Sequence, residues 1–195
     1  MLQTNCYIAY DDDRVGVVID PGGEEDRIIE VVRKNDLSIT HILLTHAHFD
    51  HLLAADAVRA ETGAVLMLSA ADRDTLGNRA YSMIPPHVSI PIVDEFFDDK
   101  DEIKIGGMTF EVVYTPGHTP GSCCFKCENL LFSGDTLFEG SIGRVDFPGG
   151  DAAAMMRSLA ALAELEAGYT VFPGHGGGTT IEREKANNPY LKGFC

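Results

Sequence analysis

The stretch LLTHAHFDHL, residues 43–52, sets His46, His48, Asp50 and His51 directly behind an apolar run. The run reads as a buried strand, and four ionisable groups at its end are costly to bury unless a cation sits among them. His46 and His48 share one side of an extended stretch. Asp50 and His51, at the expected start of a following helix, aim at a neighbouring point, so one segment can serve two metals. Imidazole nitrogen and carboxylate oxygen suit zinc, iron and manganese; without a thiolate in the set, all three stay open.

A hexapeptide cannot close two coordination spheres, so further ligands must arrive on other turns. TPGHTPGS offers His118, LFSGDTLF offers Asp135 and FPGHGGG offers His175, each behind an apolar run and beside glycine. Glycine lets the backbone turn and approach closely without a Cβ clash. Taken alone, His118 and His175 read as polar turn residues and Asp135 as an Asx-type turn. His41, read as lying before its strand, and His87, in a proline-rich stretch, are given no functional role.

Around these motifs the pattern is mixed α/β. CYIAY and VGVVID read as strands joined at Asp11–Arg14, and EEDRIIEVVRKND as a helix with acids in its first turn. SITHILLTH is a strand, LLAADAVRAETG a helix ending at Gly63, and AVLMLS a strand. Residues 76–92, with three prolines in NRAYSMIPPHVSIPI, read as a loop over one face. Strands are expected near 103–105, 109–115, 122–127 and 130–133. AAAMMRSLAALAELEAG then reads as a helix capped by Asp151, TVF as a short strand, and Thr179 with Glu182 as a capping box for a last helix. The expectation is one domain over residues 1–195, able to bury a core at 45% hydrophobic composition.

Thirty acidic against fifteen basic residues give a formal charge of −15, a field that repels nucleic acid and anionic lipid. Neither an export signal nor a membrane-spanning run is read, and the expected location is the cytoplasm. Five cysteines, an odd number, do not form a disulfide framework. In CCFKC, strand alternation puts Cys123, Phe125 and Cys127 on one face and Cys124 on the other, which favours core thiols over a redox or metal CxxC.

THAHFDH, PGHTPGS, SGDTLF and PGHG, in this order, resemble the ligand motifs of the metallo-β-lactamase superfamily across nearly the whole chain. The resemblance implies an α/β fold, the αββα four-layer sandwich, with the site at one edge between the sheets. It implies that His46, His48 and His118 hold a first metal, that Asp50, His51 and His175 hold a second, and that Asp135 bridges the two. The pair is expected to be divalent, with zinc first and iron or manganese as alternatives. Against related chains, TNCYI begins where a short first strand is already complete, so the strand at Cys6–Tyr10 is expected to lack an edge neighbour.

Within the superfamily, GSIGRVDFPGGD and IEREKANNPYL resemble short glyoxalase II-like members. This implies hydrolysis of a small-molecule thioester such as S-lactoylglutathione. The attacking water's pKa would be lowered toward ~7 between the metals, and Asp50 would help orient it. A thiolate leaving group, with a conjugate-acid pKa near ~8.5, needs little proton donation. Only twenty residues follow His175, while full-length glyoxalases II carry a further glutathione-binding helical domain. Arg144 is the candidate for a substrate carboxylate, with an ion pair to Asp146 as the structural alternative. Secreted β-lactamases resemble the pattern less, so antibiotic hydrolysis is not expected. Two readings compete: an ETHE-type persulfide dioxygenase with one iron on His46, His118 and Asp135, and a metal-binding protein without catalysis.

Overall fold

The computed structural model describes residues 3–193; Cys195 lies outside them. The strands are β1 (Tyr7–Tyr10), β2 (Val15–Ile19), β3 (Ser38–Leu43), β4 (Val65–Ser69), β5 (Glu95–Phe97), β6 (Glu102–Ile105), β7 (Met108–Tyr114), β8 (Cys123–Cys127), β9 (Leu130–Gly134), β10 (Leu137–Phe138), β11 (Ser141–Ile142), β12 (Thr170–Pro173) and β13 (Thr179–Thr180). The helices are α1 (Glu25–Lys34), α2 (Ala55–Thr62), α3 (Arg73–Gly77), α4 (Arg79–Ser82), α5 (Ala152–Ala163) and α6 (Ile181–Asn187).

Two sheets carry the fold, one in the order β1-β2-β3-β4-β5 and the other β13-β12-β9-β8-β7-β6. In the first, β1 runs antiparallel to β2 and stands at the edge, while β2 to β5 are mutually parallel. In the second, β12 is parallel to β9 and the remaining pairs are antiparallel. Strand alternation divides the apolar residues among three cores. Val17, Ile19 and Leu43 face inward to Phe110, Phe125 and Phe132 of the other sheet. Val18, Ile42 and Leu66 face outward onto Ile28 and Val32 of α1 and Val58 of α2. Cys124, Leu131 and Val171 face outward onto Met155, Leu159 and Leu162 of α5 and Ile181 of α6. Three cores between four layers give the αββα sandwich.

Local chemistry explains the helix ends. Asp151 caps α5 by accepting from the amides of Ala153 and Ala154 at 2.8 and 3.0 Å. Acids open α1 and Arg33 and Lys34 close it, matching the helix dipole. Only Ile28 and Val32 of α1 are buried, and Val31 is exposed. The last helix departs from expectation: its cap is Thr180, which accepts from Arg183 N at 3.1 Å. Thr179 pairs with Val171 and donates to buried Glu184 at 2.6 Å, so no capping box with Glu182 forms.

Two further expectations are corrected, and one strand went unread. Residues 76–92 are not wholly loop, because α3 ends and α4 lies within them; Arg79 then pins the following turn through the carbonyls of Ile84, Pro85 and Val88. His41 lies inside β3, half-buried, opposite Val17 and Val65. Strand β5 was hidden by the short, acid-flanked EFF, which pairs with β4. The cysteine alternation holds: Cys123, Cys124 and Cys127 are buried free thiols. Burial pushes the Cys124 thiol up to about 12 and raises the other two. No helix among the described residues is long and apolar enough to cross a membrane.

Candidate metal centre

Parallel strands put their carboxyl ends on one rim, and turns leaving that rim converge. Asp20 follows β2, His46 and His48 follow β3, Asp135 follows β9, and His175 follows β12. Asp50 and His51 sit in a separate single turn at Phe49–His51, ahead of α2 rather than at its start. The two sheets are joined at this rim, where Cys123 N donates to Thr45 O at 3.0 Å. His118 is delivered by the loop between β7 and β8.

All seven residues singled out in the sequence meet here. The ligand atoms of His46, His48 and His118 lie within 4.8 Å of one another, as do those of Asp50, His51 and His175. Asp135 stands between the two groups: its carboxylate is 3.4 Å from His118 Nε2, 3.4 Å from His51 Nε2 and 3.5 Å from His175 Nε2. His175 Nε2 is also 3.3 Å from Asp50 Oδ2. The site is buried on the His46 and His51 side and opens toward His175, whose side chain is 25% exposed.

Four imidazoles are oriented the same way. His118 Nδ1 is 2.7 Å from the carbonyl of Arg144, and His175 Nδ1 is 2.9 Å from that of Gln3. A carbonyl only accepts, so each Nδ1 carries a proton and Nε2 is the nitrogen turned toward the cluster. Asp20 accepts from His51 Nδ1 at 2.9 Å, from Thr45 Oγ1 at 2.7 Å and from Thr45 N at 2.8 Å. The Thr45 hydroxyl, its proton committed to Asp20, accepts in turn from His46 Nδ1 at 3.0 Å. His48 differs, turning Nδ1 to 2.8 Å from His118 Nε2. The result is a set of buried polar atoms that no hydrogen bond satisfies: His46 Nε2, His48 Nε2, His51 Nε2 and Asp135 Oδ1. Bare imidazole nitrogens grouped around a carboxylate are the donor set that divalent metals require, so these residues fit such cations.

Electrostatics divide the histidines. Burial and the neighbouring His51 and His118 hold His46 well below its ordinary range, and burial with His118 brings His48 down to about 3. Burial opposes charge on His51 too, but Asp135 and Asp20 outweigh it and hold His51 well above. Hydrogen bonds to Asp135 and Asp50 lift His175 to about 10. Burial would raise Asp135 and Asp50, yet their histidine partners hold both below the usual carboxylate range.

Glycine earns its place beside one ligand. A Cβ on Gly174 would collide with Asp135 Oδ1 and come within 2.7 Å of His51 Cε1. Arg144 lies at the site's rim with its guanidinium 4.1 Å over the Phe147 ring, and Phe147 is edge-on to His48 and His118. Its side chain forms the two-point ion pair with Asp146, at 2.8 and 2.7 Å. Sequence reading missed Asp20, Thr45, Asp72, and the Gln3-Thr4-Asn5 segment that secures Asp50 and the His175 turn: Thr4 Oγ1 donates to Asp50 at 2.8 Å and Asn5 N to Gly174 O at 2.7 Å. VVID did carry a signal, since it ends an apolar run in an acid as the recognised motifs do. A cavity of about 700 Å³, lined by Tyr7, Asp12, Met108, Glu128 and Phe172 among others, shares no residue with the cluster. The donor geometry, not the cavity, marks the chemical site.

The profile of the Metallo-beta-lactamase superfamily matches residues 1–175. The chain belongs to this superfamily. Hydroxyacylglutathione hydrolase GloC of Haemophilus influenzae is 37% identical, with 97% of this chain and 93% of that protein aligned. Among solved structures, the BLEG-1 B3 metallo-beta-lactamase superposes with a TM-score of 0.90 at 38% identity, covering 97% of this chain and 95% of that one. ETHE1 from Myxococcus xanthus gives 0.84 at 31%, covering 99% and 83%. TTHA1623 in a di-iron-bound form gives 0.83 at 35%, covering 97% and 96%. As a member of the metallo-β-lactamase superfamily, the chain is a metallohydrolase-type protein with a His/Asp cluster suited to divalent metals.

Proposed function

We propose that this chain is a binuclear metallohydrolase of glyoxalase II type, cleaving a small-molecule thioester such as S-lactoylglutathione. The observation that carries the reading is Asp135, whose Oδ2 is close to both His118 and His175 and whose Oδ1 is close to His51, so one carboxylate reaches members of both groups. His46, His48 and His118 would hold one cation, Asp50, His51 and His175 the other, with Asp135 shared. Zinc is the first choice, and iron is a serious alternative given the di-iron-bound relative TTHA1623. Bound cations supply Lewis acidity and water activated near neutral pH.

The protein's own residues do the rest. Two backbone carbonyls, Asp20 and the Thr45 hydroxyl hold the four Nδ1 protons, so four rings turn Nε2 toward the cluster. Asp50 and Asp135, ionised and only slightly exposed, face the open side, where Asp50 can accept a proton from an attacking water. Phe147 and Phe138, edge-on to His118 and His175, wall off water beside a bound substrate. Arg144, 63% exposed, is free to exchange Asp146 for a substrate carboxylate. Among the described residues every acid at the centre is committed to the cluster, which suits a thiolate leaving group that needs no proton donor. The similarity to GloC supports the same substrate class.

The likeness to ETHE1 keeps the persulfide dioxygenase as second reading. A second complete group at Asp50, His51 and His175 favours two cations over one. The test is turnover of S-lactoylglutathione by metal-loaded protein, abolished in Asp135→Ala. A chromogenic cephalosporin and glutathione persulfide with an oxygen electrode run beside it. Thioester turnover supports the proposal; turnover of either alternative without it refutes it.

A further inference from the structure

Asp72 is fully buried, sits outside the cluster, and lies on none of the sequence motifs. It closes the single turn Ala70–Asp72 and heads α3. Its Oδ2 accepts from the Ala47 amide at 2.9 Å and from the Thr119 hydroxyl at 2.8 Å, and its Oδ1 accepts from the Gly121 amide at 2.8 Å. Ala47 is the residue between His46 and His48, and Thr119 follows His118. Ser122 Oγ, which accepts from Thr119 N at 3.0 Å and lies 2.8 Å from Thr119 Oγ1, tightens the second loop around the same carboxylate. The approach is close enough that a Cβ on Gly121 would lie 2.7 Å from Asp72 Cβ.

We propose that Asp72 is the positioning residue of the His46–His48–His118 group, one carboxylate that fixes the loop after β3 against the loop after β7. The two loops come from different sheets, and Asp72 bonds to both within one residue of all three histidines. The spacing it bears on is that between His48 and His118, whose Nδ1 and Nε2 lie 2.8 Å apart across the two loops. Asp72 makes no bond to Asp50, His51 or His175. Its effect is therefore selective for one of the two groups. The inference rests on the reading that the cluster binds metal.

Asp72→Asn is the discriminating change. Asparagine keeps the shape but turns one oxygen into a donor, and both carboxylate positions face a backbone N–H, so either amide orientation sets donor against donor. Zinc titration of apoprotein, with histidine-ring nitrogen spectra to assign each event, reads the outcome. The wild type should take two equivalents of zinc. Asp72→Asn should bind one with unchanged affinity and the other, reported by His118, roughly 10- to 100-fold more weakly. Leu159→Ala, in the α5 core, serves as the destabilised control and should keep both sites. If Asp72→Asn does not fold, Thr119→Val removes one arm of the clamp and should weaken the same site alone. Unchanged zinc affinity in whichever of these variants folds, or equal loss at both sites, overturns the inference. A wild type that takes no zinc overturns the metal reading itself, and Asp72 with it.

Discussion

Replacing Asp20 with asparagine should disable two imidazoles that the mutation does not touch. One orientation of the new amide sets its NH2 against the Thr45 N–H, so the oxygen stays there and the NH2 takes the Oδ2 position. It then faces Thr45 Oγ1 and His51 Nδ1, which were 2.7 and 2.9 Å from that oxygen. His51 can meet a donor only by giving up its Nδ1 proton, which moves the proton to Nε2. Thr45, now accepting from the amide, turns its own proton toward His46 Nδ1 and drives the same exchange there. Both rings then carry hydrogen where a lone pair is needed. Losing such an outer partner costs about 10- to 100-fold in metal affinity per ligand, or roughly 1.4–2.7 kcal/mol at each site. Three bonds to a buried charge become neutral ones, a loss of about 2–4 kcal/mol, which for a chain of this size lowers Tm by roughly 4–16 °C. Competition with a chromogenic zinc chelator measures the affinities, and circular dichroism of the apoprotein measures Tm. Zinc affinities within threefold of wild type at both sites would refute the tautomer argument.

Gly174→Ala should abolish high-affinity zinc binding while leaving most of the fold, since the added methyl meets Asp135 and His51; retained binding by dialysis and metal analysis would count against the close approach. Arg144→Ala should raise KM for an anionic thioester about tenfold with kcat little changed, because the exposed side chain sits at the rim of the site and not among the clustered ligand atoms; equal loss in both would place Arg144 elsewhere in the mechanism. His175, lifted to about 10, and His51, held well above its usual range, are both protonated in the metal-free protein at neutral pH. A raised folded pKa stabilises fully below the unfolded value near ~6.5 and is lost as pH rises through the folded value. Apoprotein Tm should therefore fall between pH 7 and 10, and zinc uptake at pH 7 should release protons, seen as buffer-dependent heats in calorimetry; heats independent of buffer would contradict it. Cys123, Cys124 and Cys127 should resist thiol reagents until the protein unfolds, and rapid native labelling would break the buried assignment.

The seven clustered residues were readable because each lies on a turn that follows an apolar run, and leaving a strand at a shared rim is a local property of the chain. The layer assignment was readable for the same reason: in CCFKC alternation alone separates Cys124 from its neighbours. Asp72 was not readable. Its partners are two backbone amides and a hydroxyl 25, 49 and 47 positions away, and SAAD carries no periodic mark of that. Asp20 had the right position but stands alone before Pro21, where an acid reads as an ordinary turn. The cap of α6 slipped by one residue because two consecutive threonines can both cap, and only the pairing of Thr179 with Val171 commits the first of them to the sheet.

The strand directions also have a consequence for engineering. Every turn that carries chemistry leaves the carboxyl ends of β2, β3, β7, β9 and β12. The hairpin turns at Asp11–Arg14, Gly106–Gly107 and Glu128–Asn129 gather at the other end of the same strands, where Asp11 accepts from the Gly107 amide at 2.7 Å. Fluorophores, affinity tags or whole inserted modules can thus be grafted onto that far rim. The sandwich becomes a handle on one side and a reactor on the other.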